Sequence, residues 1–207
     1  MFANPACDLP KRPAPIILPE QILSTIYYDS LDHRLSDFGM SLRVRRGSHI
    51  KTMITIKHNG SVTGALHRNQ EEEVVLTESQ LPLSLSEEDT VTTILKLIRR
   101  MDCAVLINAV LDGRPLRQIA KTEFKRLIRH IQWQSAQIEL SADKGYLHSL
   151  VSDVRLPFQE IELELKAGPM EDLLRCGSWL TEQYDLTPQP TSKLQQALSL
   201  ESKQVNS

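Results

Sequence analysis

From Gln21 onward the chain is written in short runs that alternate apolar and polar residues, the period-two signature of strands with two chemically different faces. In Ser41 to Arg46, Leu42 and Val44 share one face while Arg43 and Arg45 share the other. In Lys51 to Lys57, Ile54 and Ile56 oppose Met53, Thr55 and Lys57. Gln137 to Asp143 sets Ile138 and Leu140 against Glu139 and Ser141, and Glu160 to Lys166 sets Ile161, Leu163 and Leu165 against Glu160, Glu162, Glu164 and Lys166. Helical spacing interrupts the strands. Ser86, with Asp89 three residues on, predicts a capped helix running to about Arg100, with Val91, Ile94, Leu95 and Ile98 as its apolar stripe. Gly168-Pro169 opens a second helix carrying Leu173, Leu174, Gly177 and Leu180, and Ser192 to Leu200 reads as a short last one.

These elements predict an α+β fold, a largely antiparallel sheet with a few covering helices that would enclose a lumen if it curls into a β-barrel. One domain is expected over residues 19–200. Pro5, Pro10, Pro13 and Pro15 block helix and remove ladder donors, so residues 1–18 read as an irregular N-terminal arm. Residues 201–207 read as a polar tail that frays.

Composition narrows the function classes. With 207 residues, 41% hydrophobic and 24% charged, the chain can bury a core and is not wholly disordered. A net charge of -2 excludes a nucleic-acid polymer binder held by a bulk basic field. Cys7, Cys103 and Cys176 form no C-x-x-C pair, which fits a reducing cytoplasm rather than a zinc or redox site. The longest apolar stretch, Ala104 to Leu111, is broken by Asn108 and is far too short to span a membrane. His33, His49, His58, His67, His130 and His148 lack ligand spacing, and Trp133 and Trp179 read as packing residues. Lys96, Arg99 and Arg100 suit the negative end of the first helix dipole. Arg114 and Arg117 stay open between tunnel mouth and solvent.

Any one of these strands fits an ordinary sheet with one face in water. Their joint pattern asks for more. Glutamates at 160, 162 and 164 recur only about 6.6 Å apart along a strand, where like charges repel unless a cation or facing basic residues relieve them. If the charged faces turn inward, Arg43, Arg45, Lys57 and Arg126 share a lumen with Glu71, Glu73, Glu139 and Glu162, and Glu72, on the opposite parity, reads as solvated. Basic groups clamp phosphate oxygens, and carboxylates hold a hard divalent ion, Mg²⁺ or Mn²⁺, which together suit phosphoanhydride hydrolysis.

The same residues resemble the CYTH family, the triphosphate tunnel metalloenzymes, which includes inorganic triphosphatases, thiamine triphosphatases and class IV adenylyl cyclases. Ile26 to Asp32, then Leu35, then Gly39 to Arg45 resemble its "YYDTPD…L…GMALRVR" stretch. Thr55-Ile56-Lys57 with Gly60 to His67 resembles the "T.K..G.V.GGLH" of the bacterial inorganic-triphosphatase branch, and Glu71 to Val74 its E-x-E strand. Thr122 to Arg126 resembles "TDFxR", Gln137 to Gly145 "QIEIALDQG", Glu160 to Gly168 "ELELELxSG", and Ser192-Lys193 the terminal "SK". The resemblance runs from about Gln21 to Lys193.

It implies substrate binding by Arg43, Arg45, Lys57, Arg126 and Lys193, metal binding by Glu71, Glu73, Glu139, Glu160, Glu162 and Glu164, and catalysis by Glu162 and Glu164. The implied ligand is inorganic triphosphate or another linear polyphosphate, with no membrane partner. The sequence departs from the pattern in three places: Asn69 stands where an arginine is usual, Gln195 to Ala197 replace the usual end, and the opening E-x-E-x-K strand is missing. Two readings follow, a metal-dependent triphosphatase and a non-catalytic polyphosphate or nucleotide binding module. Cyclase activity fits less well. The resemblance thus implies a tunnel-like β-barrel, and the missing strand leaves it open or incomplete, with a gap and an exposed edge that invites self-association, so that the chain is expected to be marginally soluble or a homodimer.

Overall fold

The computed structural model describes residues 16–201, with the side chains of Ile16 and Ile17 left aside. In chain order the elements are β1 (Ile16–Ile17), β2 (Gln21–Asp29), α1 (Arg34–Asp37), β3 (Ser41–Gly47), β4 (Thr52–Thr63), β5 (Leu66–Leu76), α2 (Glu87–Ile98), α3 (Ala104–Leu111), β6 (Arg117–Trp133), β7 (Ala136–Ser149), β8 (Val154–Ala167), α4 (Met170–Tyr184) and α5 (Lys193–Leu198). The sheet is ordered β5-β4-β3-β2-β6-β7-β8, and β1 pairs antiparallel with β6. The expected α+β class and largely antiparallel sheet are what the chain adopts. Among the described residues, β5 and β8 stand at the two ends of the pairing order.

The residues divide into two compact units. The larger holds Gln21–Arg126, Asp143–Gln159 and the described residues from Thr187 onward. Its register fixes two faces, because directly paired residues project to the same side. Glu72 pairs with Ile56, Ile56 with Leu42 and Leu42 with Tyr28; Val74 pairs with Ile54, Ile54 with Val44 and Val44 with Ile26. This apolar face packs against Ile94 and Ile98 of α2 and Ile107, Val110 and Leu111 of α3 in one buried cluster. The opposite face carries Glu73, Thr55, Arg43 and Tyr27 in one paired row and Arg45, Thr25 and Thr122 in the next. Leu23, Tyr27 and Phe124 on that side form a second cluster with Phe158 and with Leu194 and Ala197 of α5.

The smaller unit holds the described residues up to Glu20, Leu127–Ala142 and Glu160–Leu186. Leu163 and Leu165 of β8 pack with Ile138 and with Leu173, Cys176 and Leu180 of α4. Trp133 and Trp179 meet at 5.1 Å, the packing role expected of both. The chain enters α4 through Gly168 at φ +100°, where a side-chain Cβ would lie 2.6 Å from the Ser135 carbonyl oxygen; only glycine fits. Asp172, in the first turn of α4, accepts the Ser135 backbone N–H at 3.0 Å and ties the β6–β7 turn to that helix.

The first cap is as expected, the Ser86 hydroxyl accepting the Asp89 N–H; Ser192 and Gln195 also form a reciprocal capping box on α5, which the sequence reading did not single out. Ala104–Leu111, singled out in the sequence only as an apolar stretch, is a helix, since its apolar positions 107, 110 and 111 lie on one buried side. Other expectations need correcting. Ile16–Ile17 is a strand rather than irregular, because two successive residues between prolines keep the N–H groups a ladder needs; residues 1–15 of the arm lie outside the described residues. Glu201, assigned to a fraying tail, bonds to His33 at 2.9 Å and accepts the Ser149 hydroxyl at 3.3 Å. Glu72 is not merely solvated: it accepts the Asp102 backbone N–H at 2.9 Å and lies 3.3 Å from His58. Arg114 is bound to Asp32 at 2.6 Å and Asp112 at 3.3 Å, with its side chain open to water.

Candidate functional site

The larger unit gathers three basic side chains around one aromatic ring. Phe124 faces the same side as Thr122 and Leu23 by register, and the Arg45 guanidinium lies 5.8 Å, the Arg126 guanidinium 5.5 Å and the Lys193 ammonium 5.7 Å from the ring centroid. Lys193 also lies 5.6 Å from Phe158, which meets Phe124 edge-on at 5.7 Å. Aromatic faces attract cations, the more so where water is thin. Four separate elements deliver these groups: Arg45 comes from β3, Phe124 and Arg126 from β6, Phe158 from β8 and Lys193 from the first turn of α5.

The cations are held by acceptors at fixed distances. Arg45 donates Nε to the Thr25 hydroxyl at 3.0 Å. Arg126 donates Nε and Nη2 to the two oxygens of Asp143, each at 2.7 Å, and Lys193 Nζ reaches Asp143 Oδ2 at 3.1 Å. The Asp143 side chain is fully buried (0% exposed), and those of Arg126 and Lys193 are 13% and 7% exposed. Sequence reasoning quoted Asp143 inside a motif and gave it no role. The signal was its parity, which it shares with Glu139 and Ser141.

Further along the same face, Lys57 pairs directly with Glu71 at 2.7 Å, and the Thr55 hydroxyl donates to Glu73 at 3.1 Å. Arg43 sits between Thr55 and Tyr27 in the register, and its Nε–H is buried with no hydrogen-bond partner. The Thr122 hydroxyl is buried and without a partner as well. A polar group left in that condition costs on the order of 1 to 3 kcal/mol, which a bound anion or an ordered water would offset. Thus Arg43, Arg45, Lys57, Glu71 and Glu73 share one sheet face, with Arg126 and Lys193 joined through Asp143.

The other carboxylates belong to the smaller unit. Lys166 lies 2.7 Å from Glu164 and 3.4 Å from Glu139, and Glu139 lies 3.2 Å from His130. Burial alone would pull the Lys166 pKa down, but the hydrogen bond it donates to Glu164 and the charges of Glu139 and Glu164 leave it raised. Glu160 and Glu162 are half-buried on the Glu164 side of β8.

Among the described residues, no three acidic, histidine or cysteine groups come together at metal-ligand reach. Magnesium in phosphate chemistry needs only one or two protein carboxylates beside the phosphate oxygens. Glu71 and Glu73, two positions apart on one strand face, fit that requirement in donor type.

A family model for the CYTH domain matches residues 20–198. Over 182 residues the chain is 29% identical to the inorganic triphosphatase of Haemophilus influenzae, covering 88% of this chain and 47% of that protein. It therefore spans about half the length of that curated relative. In fold it is similar to HpAC1 from Hippeastrum, reported as having a dominant triphosphatase activity, with a TM-score of 0.59 at 12% identity over 88% of this chain and 84% of that one. It is also similar to PH1819 from Pyrococcus horikoshii OT3, with a TM-score of 0.55 at 17% identity over 90% of this chain and 87% of that one. With its strands, its basic face and the family match extending over nearly all described residues, the chain belongs to the CYTH domain family.

Proposed function

We propose that this chain is an enzyme that hydrolyses inorganic triphosphate or a related linear polyphosphate, with Mg²⁺ or Mn²⁺ as cofactor. The observation that carries the reading is the convergence of Arg45, Arg126 and Lys193 on Phe124, on a face that also bears Arg43 and Lys57. A flexible chain of phosphates presents several anionic oxygens in a row, and cations on neighbouring strands meet such a row. The name of the Haemophilus relative supports the same substrate class.

In this reading Arg43, Arg45, Lys57, Arg126 and Lys193 bind and orient the phosphates, and the Phe124 and Phe158 rings keep water from that end of the face. Basic donors already fixed before substrate arrives stabilise the charge that shifts to the leaving phosphate without having to reorganise. Glu71 and Glu73 would hold the divalent ion. For Glu139, Glu160, Glu162 and Glu164 the metal-binding role, and for Glu162 and Glu164 the catalytic role, are what the family resemblance implies. The bound ion supplies charge neutralisation on the phosphate oxygens. We place the chain in the cytoplasm, where such anions and Mg²⁺ coexist.

Phosphate release from tripolyphosphate, ATP and thiamine triphosphate tests the proposal. Release that depends on Mg²⁺ or Mn²⁺ and stops with chelator is expected, fastest on tripolyphosphate. A folded chain that binds tripolyphosphate without turnover would be a binding module instead.

A further inference from the structure

We infer that Asp143 is a positioning residue that sets Arg126 and Lys193 before substrate arrives. The inference rests on the polyphosphate reading above and deepens it. Asp143 is fully buried on β7 and holds Arg126 of β6 through a two-bond fork, 2.7 Å on each side, while its Oδ2 also takes Lys193 of α5 at 3.1 Å. A fork of this kind fixes the plane of a guanidinium as well as its place, so the remaining donor edge points in one direction.

Arginine and lysine side chains both carry large rotamer entropy, and a ligand that must order both loses that from its affinity. Here the ordering is completed on folding. The Phe124 and Phe158 rings complete the restraint by giving Lys193 two aromatic faces at 5.7 and 5.6 Å. One carboxylate thereby couples a long strand to the C-terminal helix, at the point where that helix delivers its lysine.

The sign of one substitution separates positioning from plain charge. Asp143→Asn makes the surroundings one unit more positive, so a carboxylate that merely opposed the ligand would, once removed, leave tripolyphosphate bound more tightly. Positioning predicts the reverse. Calorimetric titration of the full chain with tripolyphosphate in chelator, where turnover is absent, is expected to show binding weakened at least about tenfold by Asp143→Asn. Asp143→Glu keeps the charge but displaces it by one methylene, and it is expected to weaken binding several-fold as well. Tighter or unchanged binding in the Asn variant, or wild-type affinity in the Glu variant, overturns the inference. Should the Asn variant not fold, the Glu variant decides alone.

A second readout needs no ligand. In arginine-selective ¹⁵N spectra, the Nε–H signal missing from Arg126→Lys should be sharp and slow to exchange in the wild type and broadened in both Asp143 variants. An identical signal in all three overturns the inference. A wild type that fails to bind tripolyphosphate would refute the proposed function, and the Nε–H signal would then judge Asp143 separately.

Discussion

Leu42 and Arg43 are neighbours in sequence and opposites in environment. Leu42 is buried in the apolar cluster under α2 and α3, and Arg43 stands on the polar face with its Nε–H unpartnered. Leu42→Ala should lower unfolding free energy by about 2 to 5 kcal/mol in denaturant melts, through lost burial and the cavity left behind. Arg43→Ala should leave melting nearly unchanged and weaken tripolyphosphate binding by about 1.5 to 3 kcal/mol by calorimetry. The alternation in the sequence made this division legible. Less legible was Cys103, whose thiol is pushed up to about 12 by burial first and then by the Glu72 carboxylate. A group whose folded pKa lies above its unfolded value of 9.0 contributes stability in full below that pH and loses it as pH rises toward 12. Peptide-resolved alkylation of the native chain at pH 9 should therefore leave Cys103 unmodified, and rapid labelling there would contradict its buried, neutral state.

Among elements, the end of β2 shows what pattern reading could not supply. Asp29 is buried, and its carboxylate accepts the backbone N–H groups of Ser30, Leu35 and Ser36 and the Ser36 hydroxyl, at 2.7 to 2.9 Å. It thereby fixes the turn into α1, a four-residue helix too short to announce itself by periodicity. Asp29→Ala strands three backbone donors, two of them buried, and should destabilise the chain by about 3 kcal/mol or more, measured by urea unfolding. A change under about 1 kcal/mol would show that water replaces the carboxylate at little cost. Gly145 makes a similar point for β7: a Cβ there would stand 2.0 Å from the Glu123 carbonyl oxygen, so Gly145→Ala must displace backbone and should lower the melting temperature by several degrees. Strands and capped helices were readable because period and cap are local. Asp29, Gly145 and helix Ala104–Leu111 were not, because each is set by what lies opposite it across the fold.

For the molecule as a whole, the sequence carried the class of fold and the residue types of a polyphosphate face, since strand parity sorts Arg43, Arg45 and Lys57 to one side. It did not carry the convergence on Phe124 or the Asp143 bridge, which arise only when β3, β6, β7 and α5 are brought together. Edge strands with unpaired backbone favour self-association, so the proposed homodimer should appear in sedimentation as a concentration-dependent species. The proposal of hydrolysis is tested most directly by following tripolyphosphate with the purified chain by ³¹P NMR. In chelator, the account predicts broadened terminal and central phosphate signals that sharpen again when Lys193 is replaced by Ala. On adding Mg²⁺, it predicts their conversion to orthophosphate and pyrophosphate in equal amounts. Sharp tripolyphosphate signals that stay unchanged under both conditions would contradict it.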